Sequence, residues 1–485
     1  MPKRKKNDCQ KNNSCIFLQS GLQSQKHKGS GIMAIYSTGI GPELEKLNEN
    51  ISEVYALSSD KTQNASIKRG LRNADGTGVL IGVTDIGSVQ GYTVEDGERV
   101  PMNGRLYYRG INSTDIAEAH LKDNTFGFEE VVYLLLMGKL PNESQFKEFN
   151  ELISKARQLP PGFNEDVIFK APSYNIMNQL SRSIMGLYAY DPCPDDTSPE
   201  NMLRQSVEIV ARIPLIVANS YAVMRHYIMN KSLYIHNACD ELSLAENFLR
   251  MARPDKSYTE EEAHLLDMML MLHAEHGGGN NSTFTCRAVS STGTDTYSAI
   301  AAAIGSLKGP LHGGANAKVM EMFGHVKAEV SDYNDDDELR AYLNKLLDGK
   351  AGDESGKIYG LGHAVYTMSD PRAVMIRKYA RSLAESKGRL QELELMENIE
   401  RIGRELVMER KHMTMPICAN VDMYSGLVYS MLGIPVELYT PLFAIARSAG
   451  WCAHRMEEVI SAPRIMRPAY RAMHRGETYI PMDER

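Results

Sequence analysis

The seven cysteines, Cys9, Cys15, Cys193, Cys239, Cys286, Cys418 and Cys452, are scattered through 485 residues, with no C-x-x-C pair and no zinc-like spacing. That scatter argues against a disulfide framework and for a reducing, cytoplasmic setting. No run approaches the roughly 20 uninterrupted apolar residues that a transmembrane helix needs, so no membrane is expected as a partner. Basic residues form no long stripe after residue 32, and the net charge is −7 with a pI near 6.1. Nucleic acid is therefore not expected as a partner either. The metalloprotease pattern H-E-x-x-H is absent, and the run Gly277-Gly278-Gly279 lacks the G-K-[ST] ending of a phosphate loop. No metal site is implied, and the glycine run reads as the end of the helix before it.

The chain has enough apolar content, 43% over 485 residues, to bury a large core. Residues 1–32 stand apart, with Lys3-Arg4-Lys5-Lys6, Lys11, Lys26 and Lys28 against the single acid Asp8. They read as a disordered basic tail, or as an extension upstream of a functional start at Met33. Residues 77–109 carry glycines, Val/Ile/Tyr clusters and the turn pair Asp96-Gly97, which predicts a small β region. From about residue 114 the periodicity is helical. Ile176, Leu180, Ile184 and Tyr188 recur every four residues, and Thr259 with Glu262 forms a capping-box pattern ahead of the apolar segment Leu265 to Leu272. The fold expected is mainly α-helical with a small N-terminal β region.

Three islands carry chemistry: Gly309-Pro310-Leu311-His312-Gly313-Gly314, Gly360-Leu361-Gly362-His363 and Asn420-Val421-Asp422. They set two imidazoles and one carboxylate in glycine-rich or turn-like surroundings. Asp370-Pro371-Arg372 follows, with Asp370 as helix N-cap and Pro371 at the first helical position. Arg447 opens the polar side of an otherwise apolar helix, and Arg467 precedes Pro468. Guanidiniums that fork carboxylates, a base that takes a carbon-bound proton and imidazoles that stabilise oxyanions suit carbon–carbon bond chemistry on a small polyanion.

The order and spacing of these islands resemble citrate synthase. His273-Ala274-Glu275-His276 with Asn281-Ser282-Thr283-Phe284, and Phe443 to Trp451, extend the match, and weaker similarity reaches Tyr107-Tyr108-Arg109. The resemblance implies a two-domain, multi-helical fold: a large domain over 33–312 and 434–485, and a small lid over 313–433. It implies condensation of acetyl-CoA with oxaloacetate and hydrolysis of citryl-CoA. Asp422 would be the base, His312 the partner of the thioester oxygen and His363 the donor to the ketone oxygen. His276, Arg372 and Arg447 would hold the carboxylates. Lys357, Ile358, Tyr359, Gly360, Leu361 and Gly362 would line the adenine of coenzyme A, which is a co-substrate, with no tightly bound cofactor.

The resemblance also implies a homodimer in which Arg467 reaches the neighbouring site, with the Ala/Gly-rich helix around 297–307 near the contact. Many relatives carry a basic residue where this chain has Thr367, so Lys357, Arg377 or Lys378 would have to meet the coenzyme A phosphates. Two other functions fit the same residues: a 2-methylcitrate synthase using propionyl-CoA, and a non-catalytic relative. The intact trio His312, His363 and Asp422 speaks against the latter. His273 and His276, three apart on one helical face, would be a metal pair only with a third ligand, and none is evident. His226, His236, His264, His325, His412, His454 and His474 read as structural.

Overall fold

The computed structural model describes residues 68–73, 77–96, 98–461, 464–470 and 478–485. The stretch 1–32 and His474 lie outside them. The chain divides into two units, one of residues 1–79 with 470–485 and one of Leu80–Ala469. In the first, a 3-10 turn over Arg69–Leu71 precedes Asn73, whose Nδ2 donates to Thr77 Oγ1 at 2.8 Å, and a second turn spans Met482–Glu484.

The second unit opens on an antiparallel hairpin of β1 (Gly87–Glu95) and β2 (Glu98–Tyr108), with the two-residue strand β3 (Ile111–Asn112) added to β2. Asp96 takes a left-handed φ of 52° at the tight turn, as the Asp-Gly pair anticipates. The register shifts between Gln90 and Tyr92, so Gly91 sits in a bulge.

Helices follow at once. They are α1 (Ser113–Asp123), α2 (Phe128–Met137), α3 (Glu143–Ala156), α4 (Ile176–Leu187), α5 (Pro199–Tyr227), α6 (Leu244–Ala252), α7 (Glu260–His273) and α8 (Asn281–Ser290). After them come α9 (Thr296–Leu307), α10 (Ala315–Glu329), α11 (Asp336–Leu347), α12 (Pro371–Ser386), α13 (Leu390–Arg410), α14 (Asp422–Met431) and α15 (Tyr439–Ser461). The architecture is thus mainly α with a small β region, as expected.

Local rules explain the boundaries. The capping box of α7 forms: Thr259 Oγ1 accepts from Glu262 N at 3.2 Å, and Thr259 N donates back to Glu262 Oε2 at 3.3 Å. Every residue of α7 from Glu262 to His273 is buried. Ile176, Leu180 and Ile184 line the buried face of α4, while Tyr188 falls in the 3-10 turn after it. α5 has the length and apolarity of a membrane span, but its apolar window is 83% buried inside the protein, as befits a core helix.

α15 packs against α5, α7, α8 and α9, and so draws together segments from across the sequence. α9, rich in alanine, packs in this chain on α4, α8 and α15; Ser181 Oγ of α4 donates to Ala301 O at 3.3 Å, a contact that only small side chains permit.

Candidate active site

Asp370 caps α12 as the sequence indicates, its Oδ1 accepting from Arg372 N at 3.0 Å. The same carboxylate takes Nε and Nη2 of Arg372 at 3.0 and 2.7 Å, and both side chains are buried. Burial alone would raise the Asp370 carboxyl, but the Arg372 guanidinium overrides it and holds the group below its usual range. Arg372 therefore stands as a fixed cation in the first turn of the helix.

Arg447 differs. It is 1% exposed in the middle of α15, so the polar side of that helix faces inward rather than to solvent. Its Nε donates to His273 O at 2.8 Å, and its guanidinium lies 4.7 Å above the Phe443 ring. Among the described residues Nη2 has no hydrogen-bond partner and Arg447 forms no ion pair. Burial lowers its pKa to about 10. A buried guanidinium left short of acceptors is a socket for an anion.

The helix α7 ends at His273, and the chain turns away through Gly277 at φ 78°. His276 thus lies in the loop rather than on one helical face with His273, and the metal-pair arrangement does not form. Among the described residues no cluster of three or more His, Cys, Asp or Glu is placed to hold a metal ion. His276 packs edge-on to His363, with ring centroids 5.1 Å apart. Its Nε2 is buried without a partner among the described residues, and burial, then the Arg372 cation, keeps the ring neutral.

His363 is set by its own loop. Its Nδ1 accepts from Val365 N and from Tyr366 N, both at 3.0 Å, an arrangement that suits the tautomer with its proton on Nε2. Tyr366 stacks on it with centroids 4.4 Å apart.

His312 is set by another loop. Ser282 N, in the first turn of α8, donates to its Nε2 at 3.3 Å, which leaves the proton on Nδ1. Ser282 Oγ lies 3.0 Å from the same nitrogen and accepts from Trp451 Nε1 of α15 at 3.2 Å. Burial, helped by Arg447, depresses His312 to about 4, so it is neutral above that pH.

Asp422 opens α14. It reaches the site because the segment before it pairs with the His363 island: Gly362 N donates to Cys418 O at 2.8 Å, Asn420 N to Gly360 O at 2.8 Å, and Asn420 Nδ2 to Gly362 O at 3.0 Å. Gly360, at φ 85°, lies against Met423, where a Cβ would come within 2.5 Å of Sδ. Burial raises the Asp422 carboxyl to about 6, against the pull of Arg372 and Arg447. His276, His363, Arg372, Arg447, His312 and Asp422 thus share one electrostatic neighbourhood.

A family model described as citrate synthase, C-terminal domain, matches residues 74–469. The chain belongs to the citrate synthase family. It is an acyltransferase of the condensing type. The citrate synthase of Synechocystis is 35% identical over 387 residues, which span 79% of this chain and 89% of that one. The 2-methylcitrate synthase 1 of Corynebacterium glutamicum is 32% identical over 428 residues, 87% of this chain and 99% of its own. Among solved structures, the citrate synthase of Thermoplasma acidophilum, in ternary complex with carboxymethyl coenzyme A and oxaloacetate, matches with a TM-score of 0.70 at 28% identity, covering 86% of this chain and 99% of that one.

Not all expected residues of this family member converge. Arg467 is exposed beyond α15 and forms no ion pair among the described residues. Lys357 is exposed, Ile358 and Gly360 are buried, and Tyr359, Leu361 and Gly362 are intermediate. Of the basic residues named for the phosphates, Arg377 pairs with Glu400 at 3.4 Å and Lys378 with Glu118 at 2.8 Å, while Lys357 borders a small cavity with Lys318 and Tyr359.

Three contributors went unassigned in the sequence. Ser282 lies within a matched island, and its place two residues after the N-cap Asn280 was the available signal. Tyr366 had none. His454, read as structural, accepts from Arg287 Nη1 at 2.8 Å on Nδ1 and so donates from Nε2 to buried Glu275 at 2.9 Å, beside the loop of His276.

Proposed function

We propose that Asp422 removes a proton from the α-carbon of acetyl-CoA while the Nδ1–H of His312 hydrogen-bonds the thioester oxygen. The enolate carbon then attacks the ketone of oxaloacetate, whose oxygen takes the Nε2–H of His363 as charge develops. Arg372, Arg447 and His276 hold the carboxylates, and water hydrolyses citryl-CoA to citrate and coenzyme A. The observation that carries this reading is Arg447: a buried guanidinium without an ion pair, beside a neutral His276 whose Nε2 lacks a partner, is matched by a small dianion.

Segment 357–362 is read as the adenine-contacting stretch. Its pairing with 418–420 supports this, because it couples the coenzyme segment to the base. Residues 313–433 are read as the lid. The packing of α10 on α14, α12 on α14 and α11 on α13 supports a unit there. The reading includes a cytoplasmic homodimer whose Arg467 serves the neighbouring site. Its exposure, and the five unpaired cysteines among the described residues, support these.

The relative named 2-methylcitrate synthase keeps propionyl-CoA in play, since one methylene is worth only about 1–3 kcal/mol in an apolar pocket. Parallel kinetics with both thioesters at saturating oxaloacetate test the reading. A higher kcat/KM for acetyl-CoA is expected; a higher value for propionyl-CoA would reassign the substrate, and turnover of neither would overturn the proposal.

A further inference from the structure

We propose that the β1–β2 hairpin is the template that sets the catalytic tautomer of His363, with Thr367 and Ser369 as the positioning residues that fasten the loop to it. This rests on the donor role given to His363 above.

The hairpin lies directly on the loop. At the bulge, a Cβ on Gly91 would sit 2.4 Å from Val365 O and 2.8 Å from Tyr366 Cα; on β2, a Cβ on Gly104 would sit 2.3 Å from Ser369 O and 2.6 Å from Tyr366 Cδ1. Only glycine fits at either point, because the nearest obstacle at each is a backbone carbonyl oxygen. Two fasteners cross the contact. Thr367 Oγ1 donates to Gly91 O at 3.0 Å. Gly104 N donates to Ser369 O at 3.0 Å, and Ser369 Oγ to Asn103 Oδ1 at 3.2 Å.

What lies between fasteners and histidine gives them their role. The two N–H groups that hold His363 Nδ1 belong to Val365 and Tyr366, the residues against which Gly91 abuts. Tyr366, 2% exposed, is wedged between Gly104 and the His363 ring on which it stacks. A loop displaced from the hairpin would carry those N–H groups away from Nδ1. The proton could then sit on Nδ1, leaving Nε2 an acceptor facing an oxygen that needs a donor. The bulge at Gly91 therefore has a function: it brings the strand's backbone to residues 365 and 366. Thr367 acts here in a way its place in the motif does not reveal, since its hydroxyl donates to the hairpin.

The test combines kinetics with a reading of the imidazole. Thr367→Val removes one hydrogen bond at constant shape and is expected to lower kcat about tenfold, with the KM for acetyl-CoA unchanged; Thr367→Ser should restore it. Gly91→Ala should cost more, on the order of 10²-fold, the scale of a misplaced reacting group. In nitrogen-15 spectra the wild-type His363 should show an unprotonated Nδ1 and a protonated Nε2, its signals identified by their loss in His363→Ala. Thr367→Val and Gly91→Ala should both mix the two forms.

Unchanged kcat in both variants, or lost activity with the His363 tautomer intact, would overturn the template role. Should Gly91→Ala fail to fold, Thr367→Val and its serine rescue still decide. His363→Ala separates the two levels. If it is fully active, the donor role fails and the template role with it. If it is inactive while Thr367→Val is normal in rate and tautomer, only the template role fails.

Discussion

The backbone N–H of Ser282 points at Nε2 of His312 from 3.3 Å and thereby decides which of that ring's nitrogens carries the proton. A main-chain donor cannot rotate to accept, as a hydroxyl can. His312 must therefore present Nδ1–H to whatever oxygen lies before it.

Ser282→Ala keeps that N–H and loses the hydroxyl, which lies 3.0 Å from Nε2, donates to Asn280 Oδ1 and accepts from Trp451. Its kcat is expected to fall less than about tenfold. His312→Ala removes the donor itself and should cost about 10²–10³, the range for a lost oxyanion contact. Equal losses in both would show that the hydroxyl, rather than the N–H, sets the tautomer.

The pH profile of kcat/KM should have an acid limb near 6. Asp422 is raised to about 6 by burial, and a base acts only when ionised, so activity falls as pH drops through that value. Asp422→Asn should lower condensation by two or more orders of magnitude, leave oxaloacetate binding by calorimetry nearly unchanged and erase this limb from the residual rate. A limb surviving at the same pH would belong to another group.

Asp422→Asn should also stabilise the fold above pH 6. A raised acid binds its proton more tightly folded than unfolded, so its ionisation costs stability as pH climbs from the unfolded value near 3.8 through the folded value near 6. A shift from 3.8 to about 6 corresponds to a gain of ~1–3 kcal/mol at pH 8. Thermal melts of both proteins at pH 4 and pH 8 check the sign; a gain confined to pH 4 would reverse it.

Arg372→Leu and Arg447→Leu should each weaken oxaloacetate binding far more than coenzyme A binding, because each removes a fork for a carboxylate. Their effects on folding should differ. Arg372→Leu strands buried Asp370 and should cost ~3–5 kcal/mol, whereas Arg447 has no ion-pair partner among the described residues to abandon. Calorimetry and denaturant unfolding together measure both effects, and equal losses for the two ligands would show the site misplaced.

A shared site predicts complementation. In co-refolded Asp422→Asn and Arg467→Leu, about half the dimers are mixed, each with one intact site of two, so roughly a quarter of wild-type activity should return. No activity above the separate baselines, with exchange confirmed by a mass tag, would place Arg467 in its own subunit's site.

The sequence by itself determined the helical character of the chain from about residue 114, the caps at Thr259 and Asp370, and the islands bearing His312, His363 and Asp422. Each rests on a local rule: a period, a cap or a short motif. It could not decide proton positions, because the donors to His312 and His363 are backbone groups whose direction depends on the folded loops. It placed His276 on a helix face because spacing does not reveal where a helix stops, whereas α7 ends at His273. It gave Tyr366 no role, and Thr367 only one as a missing cation, since both act through Gly91 and Gly104, more than 250 residues away in the chain. Contacts at such separation are set by packing, and only the tertiary structure brings a hairpin glycine to the loop of His363.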